Sequence, residues 1–268
     1  MDKAKKYELI TEDTVILDGI KLFRIRALTT FTTITGVIAE GDFGGYIEKE
    51  ENLSHNGNAW IGGDAWVFGN TKVYDNAKVG GNALVFGNAK VGGDAWIFGD
   101  AWVFGDAWIF GDAWVYDNAK VGGDAWVFDN ARAYDNAKVD GNTKVGGNAW
   151  VHDSAWISGN AKIGSNAEVY GNAKVSGDAE VYGNAEIGCN ANVESNNDYI
   201  IVKGFGHRNR STTFFKTKNN EVHVKCGRFR GNLTEFEEEI RKTHQNTKYA
   251  KEYLAIVQAV KIHFEIND

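Results

Sequence analysis

The residues best suited to chemistry crowd into one stretch. Between positions 203 and 230 lie Lys203, Arg208, Arg210, Lys216, Lys218, Lys225, Arg228 and Arg230, with His207 and His223, against the single acid Glu221. Inside it, Gly204-Phe205-Gly206-His207-Arg208-Asn209-Arg210-Ser211-Thr212 is a glycine-bearing loop carrying guanidinium and hydroxyl donors, the groups that hold a phosphate. Its glycines permit a turn that aims backbone N–H groups, Arg208, Arg210 and Thr212 at one anion. Lys225, Arg228 and Arg230 flank Cys226-Gly227 and reach the same place if the strand ending there pairs beside the first strand of the segment. The loop is neither a Walker nor a dinucleotide-binding motif. Three readings stay open: a solvated basic face, a site for an anion, nucleotide or nucleic acid, and a docking surface for an acidic protein.

Aromatic residues form the second candidate. The chain holds 9 Trp, 10 Tyr and 15 Phe. Trp96, Trp102, Trp108, Trp114 and Trp126, with Phe98 and Tyr116, lie at outward positions of a repeat described below. Contiguous exposed aromatic area beyond a few hundred Å² marks a contact surface. Burial against a second copy of the chain is the first expectation. Coverage by the chain's own ends and a stacking platform for bases or sugars are the others, with Trp96–Trp114 and Trp108–Trp126 as the adjacent pairs.

Other signals are weaker. His152 is the one His between residues 57 and 194, with Tyr134 and Tyr170 eighteen residues to either side. It reads as a surface or interface His rather than a catalytic base. Asp94 with Asp112 and Asp106 with Asp124 share the same spacing, but each pair lacks a third carboxylate, so no metal site is expected. Cys189 and Cys226 lie far apart and suggest neither a disulfide framework nor a metal. No cofactor is implied.

What positions these residues is a repeat. From Gly57 to Glu194 the chain divides into 23 hexapeptides with no insertion. Position one is mostly Gly, position two Asn or Asp except at Ser154, position three Ala except at Thr71 and Thr143, and position five Val or Ile except at Ala133. Small, variable, then β-branched is a strand with one buried face. Gly followed by Asn or Asp tolerates turn conformations closed to other residues. A strand of about four residues and a corner, repeated every six, makes a three-sided prism whose coils stack in parallel at ~4.8 Å. The 23 repeats give between seven and eight coils, a prism roughly 35 Å long. All nine Trp then stand outward at position four.

An aliphatic residue followed four positions later by a small one recurs as Val67 with Thr71, Val79 with Ala83 and Ile97 with Ala101. This pattern resembles the left-handed parallel β-helix of the hexapeptide-repeat superfamily, best known from bacterial acyltransferases, over about half the chain. Such acyltransferases place a coil His in a cleft between subunits, often beside an extruded loop; no loop interrupts these repeats.

The flanks differ from the prism. Residues 1–56 read as an N-terminal β cap, with Asp18-Gly19 as a hairpin turn and Gly44-Gly45-Tyr46-Ile47-Glu48 leading into the first coil. Residues 195–268 carry net +4, whereas residues 57–194 carry net −8. This basic segment predicts strands at 199–205, 212–218 and 221–226, a helix opened by a Thr234–Glu237 capping box, and a second helix from Lys248 to about Phe264. Arg208, Thr212-Thr213-Phe214, Cys226-Gly227, Phe229, Gly231, Leu233, Glu235-Phe236, Thr243-His244 and Glu252-Tyr253-Leu254 resemble an uncharacterised module that follows repeats in bacterial and phage proteins. The Gly44–Glu48 and Asn52-Leu53-Ser54 stretches resemble leaders of such phage-associated proteins.

The sequence therefore predicts a mainly β protein: a left-handed parallel β-helix (57–194) with an N-terminal β cap (1–56) and a small basic C-terminal α+β domain (195–268). No run of ~18 apolar residues and no signal-peptide core occur, so a cytoplasmic protein without a membrane span is expected. The functional expectation is a non-enzymatic, homo-oligomeric scaffold whose C-terminal module contacts a phosphate-bearing ligand or a host defence protein. An acyltransferase is the alternative.

Overall fold

The structure, a computed structural model, describes residues 5–266. Met1–Ala4 and Asn267–Asp268, the outer ends of the first and last segments, lie outside the described residues. The repeat builds a parallel β-solenoid of three faces carrying eight, eight and seven repeat strands, and three strands of the N-terminal segment extend one of these sheets to eleven. Each coil strand is only two residues long, positions four and five, shorter than the four expected, because the corner takes the rest of each hexapeptide. Partners lie eighteen residues apart in register, as in Trp96↔Trp114 and Trp108↔Trp126.

The corners explain the composition. Position one is left-handed in all 23 repeats, with φ between 56° and 80°, at sixteen glycines and at Asp75, Asp117, Asp129, Asp135, Asp153, Ser165 and Cys189. A side chain there meets the next coil: a Cβ on Gly105 would lie 2.8 Å from the Gly123 carbonyl oxygen. The position-three Ala and position-five Val or Ile side chains fill the interior and are sealed from water.

Both ends of the stack are closed by the chain itself. The Tyr7–Leu17 and Ile20–Ala27 strands form the predicted hairpin, and Phe43–Ile47 pairs with the second of them and, in parallel, with Trp66–Val67. The Tyr7 hydroxyl donates to the Glu50 and Leu53 carbonyls, and Lys6 Nζ to the Ala59 carbonyl at 2.7 Å. Burial lowers the Lys6 pKa to about 8.

At the other end a four-stranded antiparallel sheet runs in chain order: Tyr199–Phe205, Arg210–Lys216, Val222–Cys226 and Phe229–Asn232. Two helices follow, α1 (Leu233–His244) and α2 (Lys248–His263). Two expectations are corrected here. The fourth strand was not foreseen, and the capping box is Asn232–Glu235, because the strand runs to Asn232 and leaves that residue at the helix N-cap. Adjacent residues of the second strand face opposite ways: Phe215 joins the solenoid core, while Phe214 packs with α1 and α2. An Ala191↔Thr217 bridge ties this sheet to the last coil. Among the described residues no helix is long and apolar enough to cross a membrane.

Candidate anion-binding pocket

The six predicted anion ligands separate into two groups. Arg208, Arg210 and Arg228 come together on the rim of one pocket of about 370 Å³ in the C-terminal module. Lys225, Arg230 and Thr212 do not join them. Lys225 is buried and reaches back to the solenoid, pairing with Glu186 at 2.7 Å, and the Arg230 guanidinium lies 4.8 Å above the Tyr170 ring. Thr212 is buried and donates its hydroxyl to Cys226 Sγ at 3.1 Å. The reason is strand order: the strand ending at Cys226 pairs with Arg210–Lys216, not with the first strand as expected. Alternation along it then sends Lys225 to the solenoid side and Cys226 to the helix side.

Two tight turns bring the three arginines together. One is the glycine-bearing loop, with Gly206 at φ 67° and Asn209 at φ 48°; the other is Gly227 at φ 59°. Gly227 is favoured by its left-handed φ of 59°, and Arg210 Nη1 lies against its Cα where a side chain would otherwise stand. The glycine loop does not offer its amides as expected. Gly206 N–H donates to the Glu252 carboxylate of α2 at 3.1 Å, and the Tyr253 hydroxyl packs where a Gly206 side chain would be. The loop is thus fastened to the helix, and it presents side chains, Arg208, Arg210 and His207, to the pocket. All three arginines are exposed, and among the described residues none has a carboxylate partner. Arg208 Nε donates to His207 Nε2 at 3.0 Å, which turns that imidazole into the same rim.

The opposite side is apolar and was missed in the sequence. Phe229, Phe236, Tyr253 and His244 form a continuous run of rings, with centroids 5.1, 5.9 and 5.7 Å apart in that order. Phe236, Glu239, Ile240 and Thr243 present one face of α1 to the pocket, at the spacing of a helical stripe. That spacing was the available signal. Burial, with Cys226 beside it, pushes the Tyr253 phenol up to about 12.

The aromatic residues stand where the repeat puts them, but they mostly cover one another. Trp96 stacks on Trp114 at 5.0 Å and Trp108 on Trp126 at 5.3 Å. Cations close the ends of these stacks: Lys90 over Trp108, Lys144 over Trp126, Lys120 over Trp102, and Arg132 between Trp114 and Trp150. Tyr116 stacks on Tyr134 at 4.9 Å, and Phe98 lies across Gly80. Trp60 is covered by the N-terminal segment, packing against Phe31. Trp102 and Phe98 each remain 38% exposed.

His152 is held between Tyr134 and Tyr170, with ring centroids 4.8 and 5.7 Å away, and its Nε2 hydrogen-bonds Glu168 at 2.9 Å. Burial opposes its charge, but the Glu168 hydrogen bond and the nearby Asp153 and Glu168 charges raise its pKa. Glu168 and Glu186, both at outward position four of the repeat, lie beside the module's Lys225 and Arg230. Asp94 and Asp106 accept hydrogen bonds from Asn76 and Asn88 of the preceding coil. The ligating atoms of Asp135, His152 and Asp153 lie within 4.8 Å of one another, an acidic corner that the sequence had not singled out.

No protein-family model matches the chain, and no curated protein matches it.

Proposed function

We propose that the protein is a non-enzymatic binding protein whose C-terminal pocket holds a small phosphate-bearing ligand. The observation that carries this reading is the convergence of Arg208, Arg210 and Arg228, without a carboxylate partner among the described residues, on one pocket backed by aromatic rings. Three exposed guanidinium groups set beside one another repel, an anion that joins them relieves the repulsion, and guanidinium groups bind phosphate oxygens in pairs. The solenoid is the rigid support, and its rings make it the face through which copies of the chain assemble. The resemblance of the module and leader to phage-associated repeat proteins supports a setting in the bacterial cytoplasm, where sequestering a nucleotide signal blunts a defence pathway.

Calorimetry with pyrophosphate and nucleotides at low and moderate salt tests the pocket. Binding is expected to weaken as salt rises. Arg210→Ala with Arg228→Ala is expected to reduce it by about 100-fold, since charge-assisted hydrogen bonds contribute about 1.5–3 kcal/mol each. Equal binding by the folded double variant removes the reading. Assembly has its own test in light scattering, where more than one chain per particle is expected and a monomer of about the chain mass of 29.5 kDa rejects it. The acyltransferase alternative rests on His152; thiol release from acyl-coenzyme A donors that vanishes in His152→Ala would establish it in place of the binding function.

A further inference from the structure

The pocket is not only basic. Among the residues that line it stands one carboxylate, Glu239, half-buried in the middle of α1. Its Oε1 accepts the Thr243 hydroxyl at 2.8 Å, one helical turn along, which holds the carboxylate in place. Glu239 makes no salt bridge among the described residues, although its neighbours do: Glu237 pairs with Arg241 and Lys261. The carboxylate therefore keeps Oε2, and one side of Oε1, for a donor. The rings of Phe229, Phe236, Tyr253 and His244 line the same pocket.

A ligand complementary to all three parts carries an anionic group, a flat ring and a pair of adjacent N–H donors. Inorganic phosphate satisfies only the first part, and a sugar phosphate lacks the ring. A nucleotide has both, because every base offers a π face to aromatic side chains. Among the bases, guanine alone puts a ring N–H and an exocyclic amino group side by side on one edge, matching the two oxygens of a carboxylate. Adenine and cytosine offer a single amino donor beside an acceptor nitrogen, which a carboxylate repels. A volume of about 370 Å³ is in the range of single small-ligand sites, so one mononucleotide fills it.

We propose that the pocket selects a guanine mononucleotide, its phosphate on Arg208, Arg210 and Arg228, its base on the ring floor and its N–H edge on Glu239. The inference rests on the phosphate-binding reading above. Two side chains then have distinct duties: the arginines supply affinity for any phosphate ester, and Glu239 supplies preference among bases.

Calorimetry with GMP, IMP, AMP, ribose 5-phosphate and pyrophosphate on the full chain separates the two. GMP is expected to bind at least about tenfold tighter than IMP, which lacks the exocyclic amino group, and tighter still than AMP. Glu239→Gln replaces one acceptor oxygen by a donor group and removes a negative charge, so it should erase the GMP preference while pyrophosphate binds no more weakly than to the wild type. It keeps the helix surface nearly isosteric, and an unchanged circular dichroism spectrum and melting temperature exclude misfolding. Ribose 5-phosphate binding as tightly as GMP, or GMP and AMP binding equally, overturns the guanine assignment and leaves phosphate binding standing. Failure of all five ligands removes both.

Discussion

His152 shows how one coil residue becomes fixed by its neighbours. Its ring lies in a column with Tyr134 and Tyr170, and Glu168 sets its orientation. Its folded pKa is raised above 6.5 despite burial, and that of Glu168 is lowered below 4.5, with the His152 hydrogen bond as the leading cause. The His152 contribution to stability is complete below the unfolded imidazole value and is lost as pH rises through the raised folded value. The Glu168 contribution is complete above its unfolded value and is lost as pH falls through the lowered one. Melting temperatures taken from pH 5.5 to 8.5 should therefore fall more for the wild type than for His152→Gln. Parallel curves would show that the pair carries no charge-dependent stability. The type and spacing of His152 were legible in the sequence, because an uninterrupted period of eighteen names its column neighbours. The duties of Lys225 and Arg230 were not. Both carry the charge expected of anion ligands, yet the alternation of their strands turns them toward Glu186 and Tyr170.

Element by element, the outer faces of the solenoid are ordered by a rule that pairs large with small. Where an aromatic column at position six ends, a glycine of the adjacent coil takes the last ring. Phe68, Phe86 and Phe104 stack at 5.2 and 5.6 Å, and the Phe104 ring then lies over Gly122. Phe128 over Gly146 and Tyr170 over Gly188 repeat the arrangement. Gly122→Val is expected to displace the Phe104 ring and cost about 1–3 kcal/mol, the range for overpacking. Ser158→Val, at the same position two coils further along that face, should stay within about 0.5 kcal/mol, as substitutions away from such contacts do. Thermal or chemical denaturation of the two variants decides it, and equal melting would mean the ring has somewhere else to go. This rule could be read from the hexapeptides once they are stacked, because local spacing and spatial neighbourhood coincide in a solenoid. The C-terminal module lacks that coincidence. Its pocket draws Arg210 and Arg228 from turns, Phe236 and Glu239 from α1, and Tyr253 from α2, and only the packing of the sheet against both helices brings them together. Sequence identified the basic turns by composition; the ring floor and Glu239 were hidden in an ordinary amphipathic helix.

Across the whole molecule, the central problem is the open end of a parallel stack. Every coil donates its backbone to the next, so the last one presents unpaired groups and the apolar interior. The chain solves this at the far end with a strand that has two buried faces. Phe215 enters the solenoid core while Phe214, one residue earlier, anchors the helices, so the module that carries the pocket is also the plug. Lys225 to Glu186 at 2.7 Å, and the Glu186 N–H donating to the Thr213 hydroxyl at 3.1 Å, hold it at its edge. Phe215→Asp places an unpaired carboxylate against the apolar end of the prism, at a cost comparable to breaking a buried pair, about 3–5 kcal/mol. The plug is expected to detach before the coils unfold. Hydrogen exchange should show lost protection at Asn192–Val193 and neighbouring end strands, with the middle coils such as Trp108–Ile109 unchanged. Light scattering should show particles that grow with concentration as freed ends pair with one another. A variant that exchanges and scatters like the wild type would mean that Phe215 does not seal the stack and that the module is attached by its charged edges alone.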